Sequence, residues 1–405
     1  MRTTTLLRRL IGVMSLYVEG MSLSPEGLVV DVRPTWRRAR CGQCGRKASR
    51  YDRAGERRWR HLSWGGMRIW LRYNPWRTRC RRCGVKVERV PWAEPGSRFT
   101  YDAEELIAYL AQITDKTTVQ RLMGIAWRTV GVVVERVIQR RLAPERLDGL
   151  KNIGIDEFSY RKRHNYLTTV VEHDRRRVVW VGHGKSAETL HEFFDLLGEE
   201  RCAEIETVTM DMAQGYISAV EKRLPEAQIV FDRFHVQRLA SDALDEVRRS
   251  LVREEEESDA AKAIKESRWA LLKNPWNLNR HQRLKLREVE EHNKKLFRGY
   301  LLKELLAQAL DYKQPKRAKK TLEDWLAWAS RSRLKPFVKA ARTIRKRKDD
   351  ILAYIKLRLT NGIVEGLNNK IRVITRRAFG FHSPGPLISM IYLCCGGIVL
   401  NPPLP

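Results

Sequence analysis

The sequence is poor in cysteine, in long apolar runs and in repetition. Seven cysteines in 405 residues are too few for a disulfide-built scaffold. The apolar run 387–400 is too short to span a bilayer comfortably and contains Gly396 and Gly397, so we expect it to form a buried terminal element. The chain has no internal repeats and no low-complexity segment. These features exclude a disulfide-rich domain and a repeat architecture.

No segment is typical of an export signal. Apolar residues 10–18 follow Arg8 and Arg9, but the stretch lacks a small-residue cleavage site and runs into Glu19. We therefore expect a cytoplasmic, nucleoid-associated location and no membrane partner.

Positive charge is what the sequence has in excess. Lys plus Arg total 78 against 48 Asp plus Glu, which gives a net charge of +30 and a pI near 10.2. This balance favours a polyanionic partner, with nucleic acid as the leading candidate and a membrane surface as the weaker one. Between Arg33 and Arg89 there are 19 cations and only 3 acids. The candidate phosphate contacts here are Arg57, Arg58, Arg60, Arg68 and Arg72. Tryptophans of the same stretch could equally stack on DNA or form a core.

Turn signals and changes of pattern divide the chain into five segments, and the fold class is multidomain α/β. Residues 1–98 predict a β-rich module with strands at 28–32 and 67–73, and 99–149 predict helices. Apolar strands alternate with helices in 150–243. Residues 244–354 predict an all-helical, highly charged insertion, and 355–405 predict the last part of the α/β domain, beginning with a helix.

A helix-turn-helix pattern lies within 99–149. One helix ends near Met123, Gly124 supplies a turn, and a second helix starts at Trp127. Two ordinary core helices joined by a glycine would look the same. If the motif binds DNA, the candidate contacts are Thr117, Trp127, Arg128 and Thr129.

Two Cys-x-x-Cys pairs lie in the β-rich module. Their residues are Cys41 and Cys44, then Cys80 and Cys83, and each pair is followed by a glycine that lets the backbone turn tightly. Four thiolates in a tetrahedral array predict a structural Zn²⁺ site. A redox dithiol would not explain the second pair. We expect the residues between the pairs, 45–79, to form a β-hairpin insertion that carries most of the arginines.

Three carboxylates stand where a catalytic metal could be held. Asp156 and Asp211 end or lie within apolar, β-branched runs, and Glu365 falls in the first turns of a predicted helix. Phosphodiester cleavage needs an activated oxygen nucleophile and stabilisation of the leaving oxygen, and two divalent ions supply both. Hard oxygen ligands suit Mg²⁺, with Mn²⁺ as a substitute.

Four neighbouring residues are candidate supports for these acids. Asn368 and Arg372 follow Glu365 by three and seven positions, so they share its helical face. Asp232 and His235 close the strand after the one that carries Asp211. His235 is also compatible with an ordinary packed histidine.

In combination, these motifs resemble the bacterial insertion-sequence transposases of the DDE, RNase H-like superfamily, specifically the ISL-three group. The resemblance covers almost the whole chain in the family's order. It rests on the paired cysteines, the helix-turn-helix, Ile153-Gly-Ile-Asp-Glu, Thr209-Met-Asp-Met-Ala-Gln-Gly-Tyr, Phe231-Asp-Arg-Phe-His, and Asn361-Gly-Ile-Val-Glu-Gly-Leu-Asn-Asn-Lys-Ile-Arg.

The resemblance implies an RNase H-like catalytic core with an all-helical insertion. Asp156, Asp211 and Glu365 match the catalytic triad that binds two Mg²⁺ ions. Asp232 and His235 match an acid-x-x-His motif. The implied reaction is cleavage at the element ends by water, followed by attack of the freed 3′-hydroxyl on target DNA.

The implied partner is double-stranded DNA, both the terminal inverted repeats and the target. Two ends must be brought together, so we expect a homo-oligomer, at least a dimer. Two alternatives stay open: a transposase-derived DNA-binding regulator without cleavage activity, and a structure-selective nuclease on the same core. The tryptophans of the insertion, such as Trp325, are hypothesised to stack on an unpaired base.

Overall fold

The computed structural model describes residues 3–161, 165–255, 258–357, 359 and 361–402. The chain forms two compact units. The first contains the described residues of Met1–Ala143, Arg377–Phe379 and Gly385–Pro405, and the second contains those of Pro144–Arg376 and Gly380–Pro384. The grouping differs from the five predicted segments in that the terminal segment 355–405 is divided: 377–379 and 385–405 belong with the first unit, and the rest belongs with the second.

The first unit begins with a short helix and two small sheets. Its elements are α1 (Thr3–Ile11), β1 (Leu16–Ser24), β2 (Gly27–Pro34), β3 (Ser49–Arg53), β4 (Arg57–Arg60), β5 (Ile69–Tyr73), β6 (Trp76–Cys80) and β7 (Gly84–Val87). One sheet has the order β1-β2-β5-β4 and the other β3-β6-β7. The residues between the cysteine pairs therefore enter both sheets. β4 and β5 pair antiparallel, as a hairpin would, but β5 also pairs parallel with β2.

Two tryptophans lie in the hydrophobic core of the four-stranded sheet. Trp59 and Trp92 are buried with Ile69 and Leu71, and the two indole rings meet edge to face with centroids 5.6 Å apart. Such aromatic pairs supply much of the apolar area that a small module can bury. For Trp59 the core interpretation of the sequence is therefore the correct one.

Three helices follow in the first unit: α2 (Tyr101–Ile113), α3 (Lys116–Met123) and α4 (Trp127–Arg141). Asp115 caps α3 by accepting hydrogen bonds from the backbone N–H groups of Thr117 and Thr118. Gly124 ends α3 in the left-handed conformation, with φ of 55°. The helix, glycine turn and second helix predicted from the sequence are present.

The second unit contains a five-stranded sheet. Its strands are β8 (Asn152–Arg161), β9 (Asn165–Glu172), β10 (Arg177–His183), β11 (Thr207–Met210) and β12 (Gln228–Phe231), and they form in the order β10-β9-β8-β11-β12. β8, β9 and β10 are antiparallel neighbours, whereas β11 runs parallel to both β8 and β12. The connections carry α5 (Ala187–Leu197), α6 (Glu199–Ala203) and α7 (Gln214–Arg223). The short apolar runs of the sequence are these strands.

A long helical segment follows β12. It comprises α8 (Arg233–Glu254), α9 (Asp259–Glu266), α10 (Arg268–Leu272), α11 (Arg280–His292), α12 (Lys294–Asp311), α13 (Pro315–Arg331), α14 (Lys335–Lys346) and α15 (Lys348–Leu357). Its buried residues share one hydrophobic cluster with those of the sheet. Trp325 belongs to this cluster, fully buried, and its indole N–H donates to the Leu302 carbonyl at 2.7 Å.

Two helices complete the chain, α16 (Gly362–Arg377) and α17 (Pro384–Cys395). The terminal element expected at 387–400 is buried in its first part, which belongs to α17 and includes the inaccessible Leu387 and Ile391, whereas Val399 is 73% exposed. Gln112 at the end of α2 donates to the Leu393 carbonyl at 2.6 Å. Arg377 donates to the carbonyls of Ala111 and Gln112, both at 3.0 Å. These contacts satisfy exposed carbonyls at a helix end and explain why α17 groups with the first unit.

Candidate functional site

Asp156 lies on the central strand β8 and is held by two hydrogen bonds. The backbone N–H of Glu157 donates to its Oδ1 at 2.8 Å, and Asn368 Nδ2 on α16 donates to its Oδ2 at 2.6 Å. Burial raises the pKa of Asp156 to about 6, and the charges of Glu157 and Asp211 act in the same direction while His235 and the Glu157 N–H oppose them. This environment destabilises the charged form of the carboxylate, and a nearby cation would stabilise that form.

Asp211 and Asp232 follow two neighbouring parallel strands at the same edge of the sheet. Asp211 comes directly after β11, and its Oδ1 accepts from the Ala213 N–H at 3.0 Å. Asp232 comes directly after β12, where it caps α8 by accepting from the Phe234 N–H at 3.1 Å. His235 Nε2 lies 3.8 Å from Asp232 Oδ2. The charges of His235 and Asp211 both act on the pKa of Asp156, so each of these two groups lies within electrostatic reach of Asp156.

Glu365 lies in the first turn of α16 and is exposed. Its helix is fixed on both sides of it: Asn361 is 8% exposed and Asn368 4% exposed, and both contact the sheet. Arg372 is exposed and donates to Asn369 at 2.6 Å. Of the residues predicted to share one face of this helix, Asn368 contacts Asp156, whereas Glu365 and Arg372 are exposed.

A buried polar chain that the sequence reasoning missed holds the start of α16. His173 Nε2 lies 2.7 Å from Thr209 Oγ1, and the Thr209 hydroxyl donates to Asn361 Oδ1 at 3.1 Å. Since the threonine hydrogen goes to Asn361, the Nε2 of His173 must carry its own hydrogen and donate. Burial lowers the pKa of His173, which favours this neutral form. Thr209 lies on β11, two residues before Asp211.

Gly154 gives α16 its close approach to β8. A Cβ at this position would lie 2.4 Å from Val364 Cγ2 and 2.9 Å from His173 Nε2. Any larger residue would therefore push α16 away from the strand that carries Asp156.

Among the described residues, one group of three or more His, Cys, Asp or Glu side chains is close enough to hold a metal ion, and it consists of the four cysteines. Asp156, Asp211 and Glu365 form no such group in that part of the chain.

Burial raises the pKa of Glu157 as well, and Asp211 adds to that shift. Glu157 is thus a fourth acid near the site, which the sequence analysis did not single out.

Cys41, Cys44, Cys80 and Cys83 place their sulfur atoms within 4.8 Å of one another. Gly45 and Gly84 have φ of 69° and 72°, the left-handed conformation expected after each pair. Backbone N–H groups of Arg82 and Cys83 lower the pKa of Cys80 to about 7. Four converging sulfurs with N–H groups directed at one of them fit a tetrahedral Zn²⁺ site.

The helix-turn-helix presents its predicted contacts to solvent. Thr117, Trp127 and Arg128 are exposed and Thr129 is half-buried at the start of α4. Lys116 Nζ lies over the Trp127 ring, 4.5 Å from its centroid. The N-terminal end of the second helix is the part that enters the major groove in such motifs.

Three of the five predicted phosphate-contacting arginines have other partners. Arg60 is only 7% exposed and donates to the Gly124 carbonyl at 3.2 Å, so it holds the turn of the helix-turn-helix instead of a phosphate. Arg72 donates to both oxygens of Asp31, at 2.5 and 2.9 Å. Arg58 pairs with Glu26 and Glu56. Arg57 and Arg68 are exposed.

The base-stacking hypothesis for Trp325 is wrong, because this side chain is fully buried. In the helical segment, Trp269 and Trp276 are the exposed tryptophans, at 57% and 68%.

A cysteine cluster, a helix-turn-helix and an α/β sheet with acids at its strand ends are together typical of a DNA-recombining enzyme. Three family profiles match in the same order. The one described as the zinc-finger of transposase IS204/IS1001/IS1096/IS1165 matches residues 37–83, the helix-turn-helix domain of transposase family ISL3 matches 88–138, and the ISL3 transposase domain of the DDE class matches 153–391.

Named relatives agree with the profiles. The chain is 40% identical over 384 residues to the transposase for insertion sequence element IS1557 of two Mycobacterium tuberculosis strains, covering 88% of this chain and 86% of the relative. It is 30% identical over 357 residues to the transposase for IS1001 of Bordetella parapertussis, covering 87% of this chain and 88% of the relative. The chain belongs to the ISL3 family of insertion-sequence transposases, which are DNA-cleaving and strand-transferring enzymes. No helix in the described ranges has the length and apolarity needed to cross a membrane.

Proposed function

We propose that this transposase cuts at the terminal inverted repeats of its element and joins the freed 3′-hydroxyl to target DNA, with Asp156, Asp211 and Glu365 as the metal-binding triad. The observation that carries the proposal is the 2.6 Å hydrogen bond from Asn368 to Asp156. This bond ties α16 to β8, and the proposal is that Glu365, one turn before Asn368, joins Asp156 and Asp211 when metal binds. The order of three antiparallel strands followed by two parallel ones supports an RNase H-like core.

The residues fit two divalent ions by their chemistry. All three triad members are hard oxygen donors, and burial, with the charges of Glu157 and Asp211, raises the pKa of Asp156, an effect that a bound cation would offset. Bound Mg²⁺ would activate the attacking oxygen and stabilise the leaving one. Asp156 and Asp211 would hold the ions from the sheet, Glu365 would close the site from the exposed turn of α16, and Asn368 would orient Asp156. Asp232 caps α8, and His235 supplies a polar group beside it.

The first unit is proposed to bind the element ends. The zinc module and the helix-turn-helix would hold the inverted repeats, with Thr117, Trp127, Arg128 and Thr129 nearest the bases. Pairing of two ends implies at least a dimer, and the basic balance of the chain suits a nucleoid-associated location.

The test compares Asp156→Ala with Asp324→Ala, which removes an exposed acid of α13 in the same unit. Asp156→Ala is expected to abolish cleavage of a duplex carrying the element end while leaving its binding intact. Asp324→Ala should cut like the unaltered protein. Unchanged cleavage by Asp156→Ala would contradict the proposed metal site.

A strand-transfer assay separates the alternatives. Joining of a labelled 3′-end to target DNA supports the transposition mechanism. Cleavage of branched DNA without joining would identify a nuclease, and end binding without any cleavage in Mg²⁺ or Mn²⁺ would identify a regulator.

A further inference from the structure

Two adjoining clefts open on the zinc-bearing module. The first has a volume of about 310 Å³ and its walls include Arg33, Trp36, Arg37, Arg50, Arg53 and Trp76. The second, of about 400 Å³, is lined by residues that include Arg37, Arg38, Lys47 and Arg50. Arg37 and Arg50 line both clefts, and we call the two clefts together the Arg37/Arg50 groove.

The groove carries positive charge that the protein itself does not neutralise. Its two acids are engaged: Glu19 pairs with Arg33 at 2.9 Å, and Glu88 accepts hydrogen bonds from the Tyr73 hydroxyl at 2.8 Å and the Trp76 N–H at 2.7 Å. Four exposed cations of the groove have no carboxylate partner within the described part of the chain: Arg37, Arg38, Lys47 and Arg50.

The Trp76 ring lies against Arg50 and against Arg53, a further arginine of the groove that also donates to the Asn74 carbonyl. The Arg53 guanidinium lies 3.7 Å from the centroid of Trp76, and that of Arg50 lies 5.1 Å from the same ring. A guanidinium that rests on a ring keeps its N–H groups free at the edge. Such planar, pre-oriented donors suit phosphate oxygens.

The cations of the groove differ from three of the five arginines that the sequence alone singled out. Arg58 and Arg72 are paired with acids and Arg60 is buried. Their charge is already used inside the module, whereas that of Arg37 and Arg50 is available to a ligand.

We propose that the Arg37/Arg50 groove binds the phosphate backbone of duplex DNA and so positions the zinc module on it. The proposal rests on the proposed function, because it assigns a place to the DNA that the enzyme cuts. Contacts of this kind carry no sequence information, so the groove should bind an element end and an unrelated duplex alike.

The experiment uses the full chain with Arg37→Gln/Arg50→Gln, and Arg58→Gln as the acid-paired control. Dissociation constants are measured by fluorescence anisotropy between 50 and 200 mM salt, for a duplex taken from the DNA that flanks the reading frame and for an unrelated duplex. Two lost phosphate contacts should lower the slope of log K against log salt by about 2, so the affinity gap to the unaltered protein should shrink about tenfold over this range. The control should keep its slope, and Arg37→Lys/Arg50→Lys should restore it.

An unchanged slope in the double glutamine variant would overturn the proposal, as would an equal loss in the Arg58→Gln control. Zinc content checks that each variant keeps the module folded. Failure of the unaltered protein to cut DNA would instead count against the proposed function. The comparison of salt slopes would still test whether the groove binds DNA phosphates.

Discussion

Asp156→Asn in metal-free protein tests the electrostatics of the candidate active site without any substrate. Burial raises the pKa of Asp156 from its ordinary value of 3.8 to about 6. Because the folded-state pKa is the higher one, ionisation of Asp156 opposes folding. The cost is absent below about pH 4, grows as the pH rises toward 6, and is fully present above it.

The magnitude follows from the shift. Two pKa units correspond to about 3 kcal/mol, at 1.36 kcal/mol per unit. Asparagine offers one oxygen where Asp156 uses two, toward the Glu157 N–H and Asn368, so one hydrogen bond worth about 1 kcal/mol is lost. Asp156→Asn should therefore stabilise the second unit by about 2 kcal/mol at pH 7.5, which for a unit of this size is roughly 4–8 °C in Tm.

Scanning calorimetry of the full chain with a chelator at pH 7.5 and pH 4 measures the effect. The gain should be present at pH 7.5 and absent at pH 4. Adding Mg²⁺ should raise the Tm of the unaltered protein and leave that of Asp156→Asn unchanged, since the ion would relieve the same penalty. Asp324→Asn, at an exposed position, should change neither value. A Tm at pH 7.5 equal to or below that of the unaltered protein would refute the reasoning.

Three further predictions concern the zinc site, the buried polar chain and the core. Cys44→Ser should release Zn²⁺ to a colorimetric chelator and weaken binding of the element ends, and retention of both would contradict a structural zinc site. Thr209→Val removes the hydrogen bond to Asn361 and should slow cleavage about 10- to 100-fold with DNA binding unchanged. Thr209→Ser should restore most of the rate. A normal cleavage rate for the valine variant would show that this hydrogen bond does not position α16. Trp325→Ala should lower the free energy of unfolding by about 3–5 kcal/mol in urea, whereas Trp276→Ala should change it by less than about 0.5 kcal/mol. Equal effects of the two would contradict the burial of Trp325.

Elements whose signals are local could be predicted from the residues alone. A Cys-x-x-Cys pair needs only a tight turn after it, and Gly45 and Gly84 mark those turns. The helix-turn-helix depends on Asp115 as a cap and Gly124 as a stop, which act within a few residues. The strands that precede Asp211 and Asp232 could be predicted because a strand buried on both faces is a continuous apolar run.

The partners of charged and polar residues, in contrast, depend on how distant segments fold together. Arg60 and Arg37 look alike in sequence, yet the first is buried against the Gly124 carbonyl and the second is exposed in a groove. The domain to which α17 belongs, the burial of Trp325 and the His173 link to Thr209 likewise depend on contacts between segments far apart in the chain. Composition and periodicity report on a residue's neighbours along the chain, whereas burial and pairing are set by which segments meet in space. For this reason the fold was needed to tell the paired and buried arginines from those that are free to bind a ligand.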